Sequence, residues 1–245
     1  MRQQTVLGAF LFFAWFSFAD SAECFADDHS RKYGVEFRGG FSLYQVSDTR
    51  DVLDNYEGSP GATITANYAG PSGGFSLLWR QEKHFQWNIG YNSLLDFESE
   101  ASWQDTTLTL SSRASEIFVL GNVVFAPARG VRAYVGGGVD FLVAKQDILW
   151  QPGNSIFDGT GRTFGIVTNG AIEVFLGQRL GFCLGGGYRL ANVTQFTDVK
   201  FNGDRAKVKH PLVNRAWEAD LSGPFLITSL RIYFDPVSKP IDFGE

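Results

Sequence analysis

The stretch "TFGIVTNGAIEVFLGQRLGFCLGGGYRL", Thr163–Leu190, decides how the rest of the chain is read. Phe164, Ile166, Ile172, Val174 and Leu176 share one side of a two-residue period, with Asn169 and Glu173 on the other. After the short "GQR", Leu180, Phe182, Leu184, Tyr188 and Leu190 alternate against Arg189. Successive side chains of a strand point to opposite faces, so two half-greasy, half-polar strands are joined here by a tight turn.

The same period runs outward in both directions. "YGVEFRGGFSLYQ" sets Val35, Phe37, Phe41 and Leu43 against Glu36, Arg38 and Ser42, and "GGFSLLWRQ" sets Phe75, Leu77 and Trp79 against Ser76 and Arg80. "FQWNIGYNSLLDF" alternates Phe85, Trp87, Ile89 and Tyr91 with Gln86, Asn88 and Asn92. In "SEIFVLGNVVF", Ile117, Val119, Val123 and Phe125 oppose Glu116 and Asn122, although Phe118, Leu120 and Val124 join the second face. "GVRAYVGGGVDFLVA" sets Val131, Ala133, Val135, Val139, Phe141 and Val143 against Arg132, Tyr134 and Asp140. "FLITSLRIYF" closes the series, with Leu226, Leu230, Ile232 and Phe234 opposite Ser229, Arg231 and Tyr233.

These are eight strands, and their connections alternate strictly. "QEKH", "APARG" and "GQR" are short, whereas the remaining connections are long and polar. All short turns therefore lie at one end and all long loops at the other, the pattern of an up-and-down antiparallel meander. No basic excess points to nucleic acid: the formal net charge is -5, and charged residues make up 19%, below the roughly 25% of a soluble domain.

Arg2 and the apolar run Val6–Phe18 read as an export signal, too short for a spanning helix of about 20 residues. Residues 1–22 are expected to form the signal peptide, with cleavage at 22–26; the barrel is expected over 33–235, and 236–245 as a short periplasmic tail. Cys24 lies beside the cleaved segment, which argues against a disulfide with Cys183, and Glu23 before it does not suit lipid attachment.

Periodicity alone leaves open whether the apolar face points into a soluble ligand-carrying barrel or out into lipid. The polar faces carry ions of both signs near mid-strand: Glu36, Asp96, Glu116, Asp140 and Glu173 against Arg38, Arg132, Arg189 and Arg231. A narrow interior suits such ions because each can find a partner, whereas an unpaired buried charge is costly. Trp79, Trp87, Phe85, Phe125 and Phe234 gather near the short-turn ends, as an interfacial aromatic belt would. A lipid-facing exterior also requires a closed ring, in which every backbone group is paired. The expected fold is thus all-β: an eight-stranded antiparallel up-and-down transmembrane β-barrel with short periplasmic turns and long extracellular loops.

From about Tyr33 to Phe234, "YGVEFRGGFSLY", "VRAYVGGGVDF", "FLGQRLGFCLGGGYRL" and "SLRIYF" resemble the small eight-stranded outer-membrane barrels, the class of the OmpA transmembrane domain and opacity-type surface proteins. The resemblance implies the outer membrane of a Gram-negative-type cell. It also implies reading of Leu230, Ile232 and Phe234 by the barrel-assembly machinery, although "DPVSKPIDFGE" separates Phe234 from the C-terminus.

Candidate chemistry is sparse. "YVGGGVDF" lacks a dinucleotide fingerprint, since Phe141 stands where a third glycine is needed and no helix follows. Parity instead places Gly136, Gly138, Gly185 and Gly187 inside the barrel, leaving room for Tyr44, Tyr134 and the arginines. Of the histidines, only His210 could face outside beside Asp204 or Ser222, so a lipid-modifying hydrolase is the weaker alternative. Asp48, Asp51, Asp54 and Glu57 could collect a divalent ion weakly but read rather as solvated surface, and no metal or other cofactor is expected.

A narrow pore is a second alternative, but eight strands leave an interior that side chains fill. The expected role is non-enzymatic, in envelope structure or surface interaction through the outer loops of a monomer surrounded by outer-membrane lipids. Lys200, Arg205, Lys207, Lys209 and Arg215 in the fourth loop could meet lipopolysaccharide phosphates or an acidic partner, or pair with the acidic first loop. A closed barrel resists detergent until heated. The protein should therefore fractionate with membranes and migrate faster on a gel unheated than boiled; extraction without detergent would indicate the soluble barrel instead.

Overall fold

The computed structural model describes residues 32–57, 61–82, 84–128, 130–151, 154–177, 179–198, 206–207 and 216–234. Eight long strands form the wall: β1 (Tyr33–Leu43), β3 (Ala69–Glu82), β4 (Phe85–Trp103), β5 (Thr106–Ala128), β6 (Val131–Gln151), β7 (Asn154–Phe175), β8 (Leu180–Leu190) and β13 (Gly223–Tyr233). Shorter pieces attach to it: helix α1 (Ser47–Glu57) and strands β2 (Thr63–Thr65), β9 (Asn192–Val193), β10 (Phe196–Asp198), β11 (Ala206–Lys207) and β12 (Ala219–Asp220).

Each long strand pairs antiparallel with its neighbour, and β13 lies between β8 and β1. Val35 stands opposite Ile232, and Thr228 opposite Leu184, so the ring closes from last strand to first. Closure leaves no unpaired edge on the ring itself, which lipid would not tolerate. The apolar side of the period faces outward: Phe164 is 77% exposed, while Glu173 on the opposite face is fully buried. This is the arrangement of a membrane barrel, the inverse of a soluble one.

Strand lengths divide the wall into two heights. β1, β8 and β13 have 11 residues each, whereas β5 has 23 and β7 has 22. At about 3.3 Å per residue and a tilt near 40°, the short strands span about 28 Å, close to the apolar band of about 25 Å. The longest reach about 58 Å on the same assumptions, so β4–β7 continue well past the lipid. The outer connections are long in sequence, but two of them are largely strand: β4 and β5 meet across Gln104–Asp105, and β6 pairs with β7 up to Trp150↔Asn154.

Gly136, Gly138, Gly185 and Gly187 lie on the inward parity, but what crowds them is different from the sequence expectation. A Cβ at Gly138 would strike the Val119 carbonyl, and one at Gly187 the Thr168 carbonyl; at Gly136 it would meet the Gly121 carbonyl and Asn122. At Gly185 the obstacles are Ala171 and the Gly170 carbonyl, at 2.7 and 2.8 Å. The room is taken by the backbone of the adjacent strand together with the side chains of Asn122, Ala171 and Phe225, not by Tyr44, Tyr134 or the arginines. Tight coiling of a small ring presses neighbouring strands into each other's Cβ positions, and glycine lets them approach. Gly138→Val and Gly187→Val should therefore block folding, while Gly73→Ala, whose Cβ meets only a carbonyl at 3.7 Å, should fold normally. Heat-modifiable migration reads the difference, and a normal Gly138→Val barrel would refute the crowding.

Candidate functional site

Two regions hold the candidate residues: the lumen at membrane height and the compartment above it. In the lumen, the Glu36 carboxylate accepts from Arg38 at 2.7 Å, Ser76 at 2.8 Å, Ser229 at 2.7 Å and Arg231 at 3.0 Å. Arg231 also donates to Glu173 at 3.3 Å, and Glu173 takes the hydroxyls of Tyr134 and, at 2.7 Å, Tyr233. One layer further out, Arg189 joins Asp140 at 3.0 Å and Glu116, which also accepts from Asn92 at 3.0 Å. Aromatic faces cover the guanidinium groups: Phe118 lies under Arg38 at 4.4 Å, Phe175 under Arg132 at 4.6 Å and Tyr134 under Arg231 at 4.6 Å.

Eight of the nine ions singled out in the sequence thus project inward, on six different strands, and the side chain of Asp96 lies outside the described residues. Between the two layers the structure leaves a cavity of about 30 Å³, bordered by Arg38, Asn92, Glu116, Phe118, Arg189 and Phe225. That is space for one or two water molecules.

Above the membrane the hydrophobic phase reverses. Along β6, Val139, Phe141 and Val143 face out while Asp140 faces in; then Lys145 and Asp147 face out while Leu142, Ala144 and Ile148 face in. Lys145 bridges Asp147 and Asp158 on the wall's outer surface, at 3.8 and 3.2 Å. Inside, Leu94, Phe97, Leu108, Leu110, Leu142 and Ile148 pack with Val52 and Leu53 of α1 and with Phe196 and Trp217. Gln146 is the polar hub of this apolar core: it donates to Ser112 at 3.0 Å and Thr49 at 3.3 Å and accepts from the Trp217 indole.

The helix α1 closes the low side of the wall, above β1 and β13. Asp48 is not a solvated surface acid: it is buried and accepts the Glu218 backbone N–H at 2.7 Å, tying the helix start to the segment before β12. Between α1 and the wall runs an open groove of about 370 Å³ lined by Tyr44, Gln45, Arg50, Asp51 and Tyr68. Partial burial, and after it the Asp54 carboxylate, hold the Tyr68 phenol above its ordinary range, so it stays a neutral donor and acceptor.

Of the basic fourth-loop residues, Lys207 belongs to β11, opposite Thr197, while Lys200, Arg205, Lys209 and Arg215 lie outside the described residues, as do His210 and Cys24. Ser222 is buried and accepts the Ala191 N–H at 3.0 Å. Cys183 is a free thiol in the lumen. The apolar compartment and Trp217 were missed in sequence; the signal was the phase change across "VAKQDILW", where charges move to the face that had been apolar.

No family model and no curated protein matches the chain. Solved structures similar to it include the outer membrane protein OprG from Pseudomonas aeruginosa, at 9% identity and a TM-score of 0.47, over 86% of this chain and 100% of that one. Neisserial surface protein A is similar at 12% identity and a TM-score of 0.40, over 82% and 96% of the two chains. The outer membrane protease OmpT from Escherichia coli is similar at 6% identity and a TM-score of 0.40, over 87% and 100%. The assignment rests on the ring closure and the lipid-facing exterior described above, which make the chain an eight-stranded transmembrane barrel of the outer-membrane type.

Removing one member of a buried ion set strands the others. Glu173→Ala leaves Arg231, Tyr134 and Tyr233 facing an empty position and should lower stability by about 3–5 kcal/mol. Urea unfolding in lipid vesicles measures it; a loss below about 1 kcal/mol would show the pairing to be unimportant.

Proposed function

We propose that the protein is a non-enzymatic outer-membrane barrel that acts at the cell surface through its extracellular wall and attached segments, in envelope structure or surface interaction. One observation carries this reading: ions and aromatics fill the lumen around a cavity of about 30 Å³, while four strands continue beyond the lipid. A conduit needs open space through the membrane, and building material above it serves contact with something outside.

The closed ring needs no partner to cover an edge, which suits a monomer in lipid. Its last strand and the residue after it, with Leu230, Ile232 and Phe234 on the lipid side, suit reading by the barrel-assembly machinery during insertion. Lys200, Arg205, Lys207, Lys209 and Arg215 supply the cationic side of an interaction with lipopolysaccharide phosphates or an acidic partner. Such contacts between exposed charges weaken with salt.

Neutralising Lys207 and Lys209 to glutamine should reduce binding to lipopolysaccharide-containing vesicles several-fold at low salt, and high salt should reduce wild-type binding to the same level. Equal binding by variant and wild type at low salt would defeat the cationic-contact reading. In planar bilayers the folded protein should give no sustained channel openings, and a stable conductance would overturn the assignment of function to the wall.

A further inference from the structure

The groove beside α1 is not needed by the barrel, and its walls are chemically mixed. Tyr44 is fixed by stacking on Phe97, with ring centroids 5.0 Å apart and planes 14° from parallel, and its backbone N–H donates to the Tyr68 carbonyl at 2.8 Å. Gln45 is held by its N–H on the Ser222 carbonyl at 3.2 Å and by its side-chain amide donating to the Tyr188 hydroxyl at 3.1 Å. Its amide oxygen remains an acceptor. The groove floor is therefore set before any ligand arrives, which reduces the ordering cost of binding.

The α1 side is adjustable. Arg50 reaches Asp54 only at 3.8 Å, with both side chains more than half exposed, so solvent competes strongly for that pair. Arg50 can turn its donors toward a ligand at little cost. Beside it stands Asp51, an acceptor of opposite charge.

What chemistry fits? Arg50 against Asp51 and Asp54 leaves no positive excess, which disfavours a phosphate or sulfate group. A purely apolar ligand would leave the guanidinium and carboxylate without use. Adjacent hydroxyls on a ring, by contrast, need donors and acceptors side by side, and the guanidinium, carboxylate, amide and phenol provide both. The ring's C–H face needs an aromatic wall, which the half-buried Tyr68 offers. The volume of about 370 Å³ lies within the range of small-molecule sites.

Height narrows the source. The groove opens directly above Leu43, the last lipid-facing residue of β1, and Gln45 is bonded to Tyr188, which faces out from β8. It therefore sits at the level of the lipid headgroups. We propose that the groove formed by Tyr44, Gln45, Arg50, Asp51 and Tyr68 is a saccharide-binding site, taking a sugar unit carried by an outer-leaflet lipid or by a soluble glycan. The proposal deepens the surface-interaction reading and rests on it, but it uses residues distinct from the basic segment.

The test uses the folded full-length barrel in bicelles. Binding is measured by calorimetry to soluble oligosaccharides of glucose, galactose and N-acetylglucosamine, and separately to bicelles containing lipopolysaccharide. Tyr68→Ala and Asp51→Asn should each weaken saccharide binding about tenfold, and the loss should persist at high salt. Asp51→Asn keeps the size of an exposed side chain, so it reports on the groove even if Tyr68→Ala disturbs α1. Binding of soluble sugars identifies a free glycan as the source, and groove-dependent binding to lipopolysaccharide alone identifies a lipid-linked one. Saccharide affinities equal in wild type and Asp51→Asn, or no binding of any probe, would overturn the site. Retained salt-sensitive binding through Lys207 and Lys209 in that case would leave the broader surface role standing.

Discussion

Charges placed inside a ring of eight strands have almost no water to solvate them, so they must solvate one another. Arg231 lies between Glu36 and Glu173, and Arg189 between Glu116 and Asp140, with serine, tyrosine and asparagine groups occupying remaining sites on the carboxylates. Because strand parity couples the two faces, burying this polar face forces the other face into lipid. The closed ring then satisfies the backbone where lipid cannot. The same small circumference presses strand against strand, and that is why a Cβ at Gly138 or Gly187 would run into a neighbour's carbonyl.

The constraint ends where lipid ends. Above the belt, β4–β7 have water outside, and the hydrophobic effect reverses the faces: charges such as Lys145 and Asp147 turn outward, and Leu142, Ala144 and Ile148 turn inward. One continuous sheet thus behaves as a membrane barrel below and as a soluble barrel above. The inner apolar surface would be open on the side of the short strands, and α1 with Trp217 covers it there. Val46, fully buried with φ of 28°, makes the sharp bend that turns the chain from β1 into this cover. A positive φ is costly for a β-branched residue, so the packing around Val46 must hold it in place.

The barrel was legible because its signal is local. Val131 to Val143 or Leu180 to Leu190 alternate within one strand, and "APARG" and "GQR" mark turns by their brevity. The inward parity of Glu36, Arg38, Glu116, Arg132, Asp140, Glu173, Arg189 and Arg231 follows from the same count. The upper compartment was not legible in the same way. Its long connections read as polar loops because their strands carry charge on the outer face, and Leu108, Leu110 and Ile148 alternate in the opposite sense from the membrane part. Asp48 looked like one solvated acid among four, yet a backbone N–H from residue 218 selects it for burial.

By itself, then, the sequence determined the number of strands, the end at which the turns lie and which residues share a face, since period two and turn length are properties of neighbouring residues. Only the tertiary structure decided which arginine meets which carboxylate, that the adjacent strand's carbonyls, joined by Phe225 and Asn122, exclude a Cβ at Gly187 and Gly136, and that α1 seals an apolar compartment beside an open groove. Those outcomes depend on stagger and curvature around a closed ring, which bring residues 36, 173 and 231 to one point. No pattern along the chain encodes that distance.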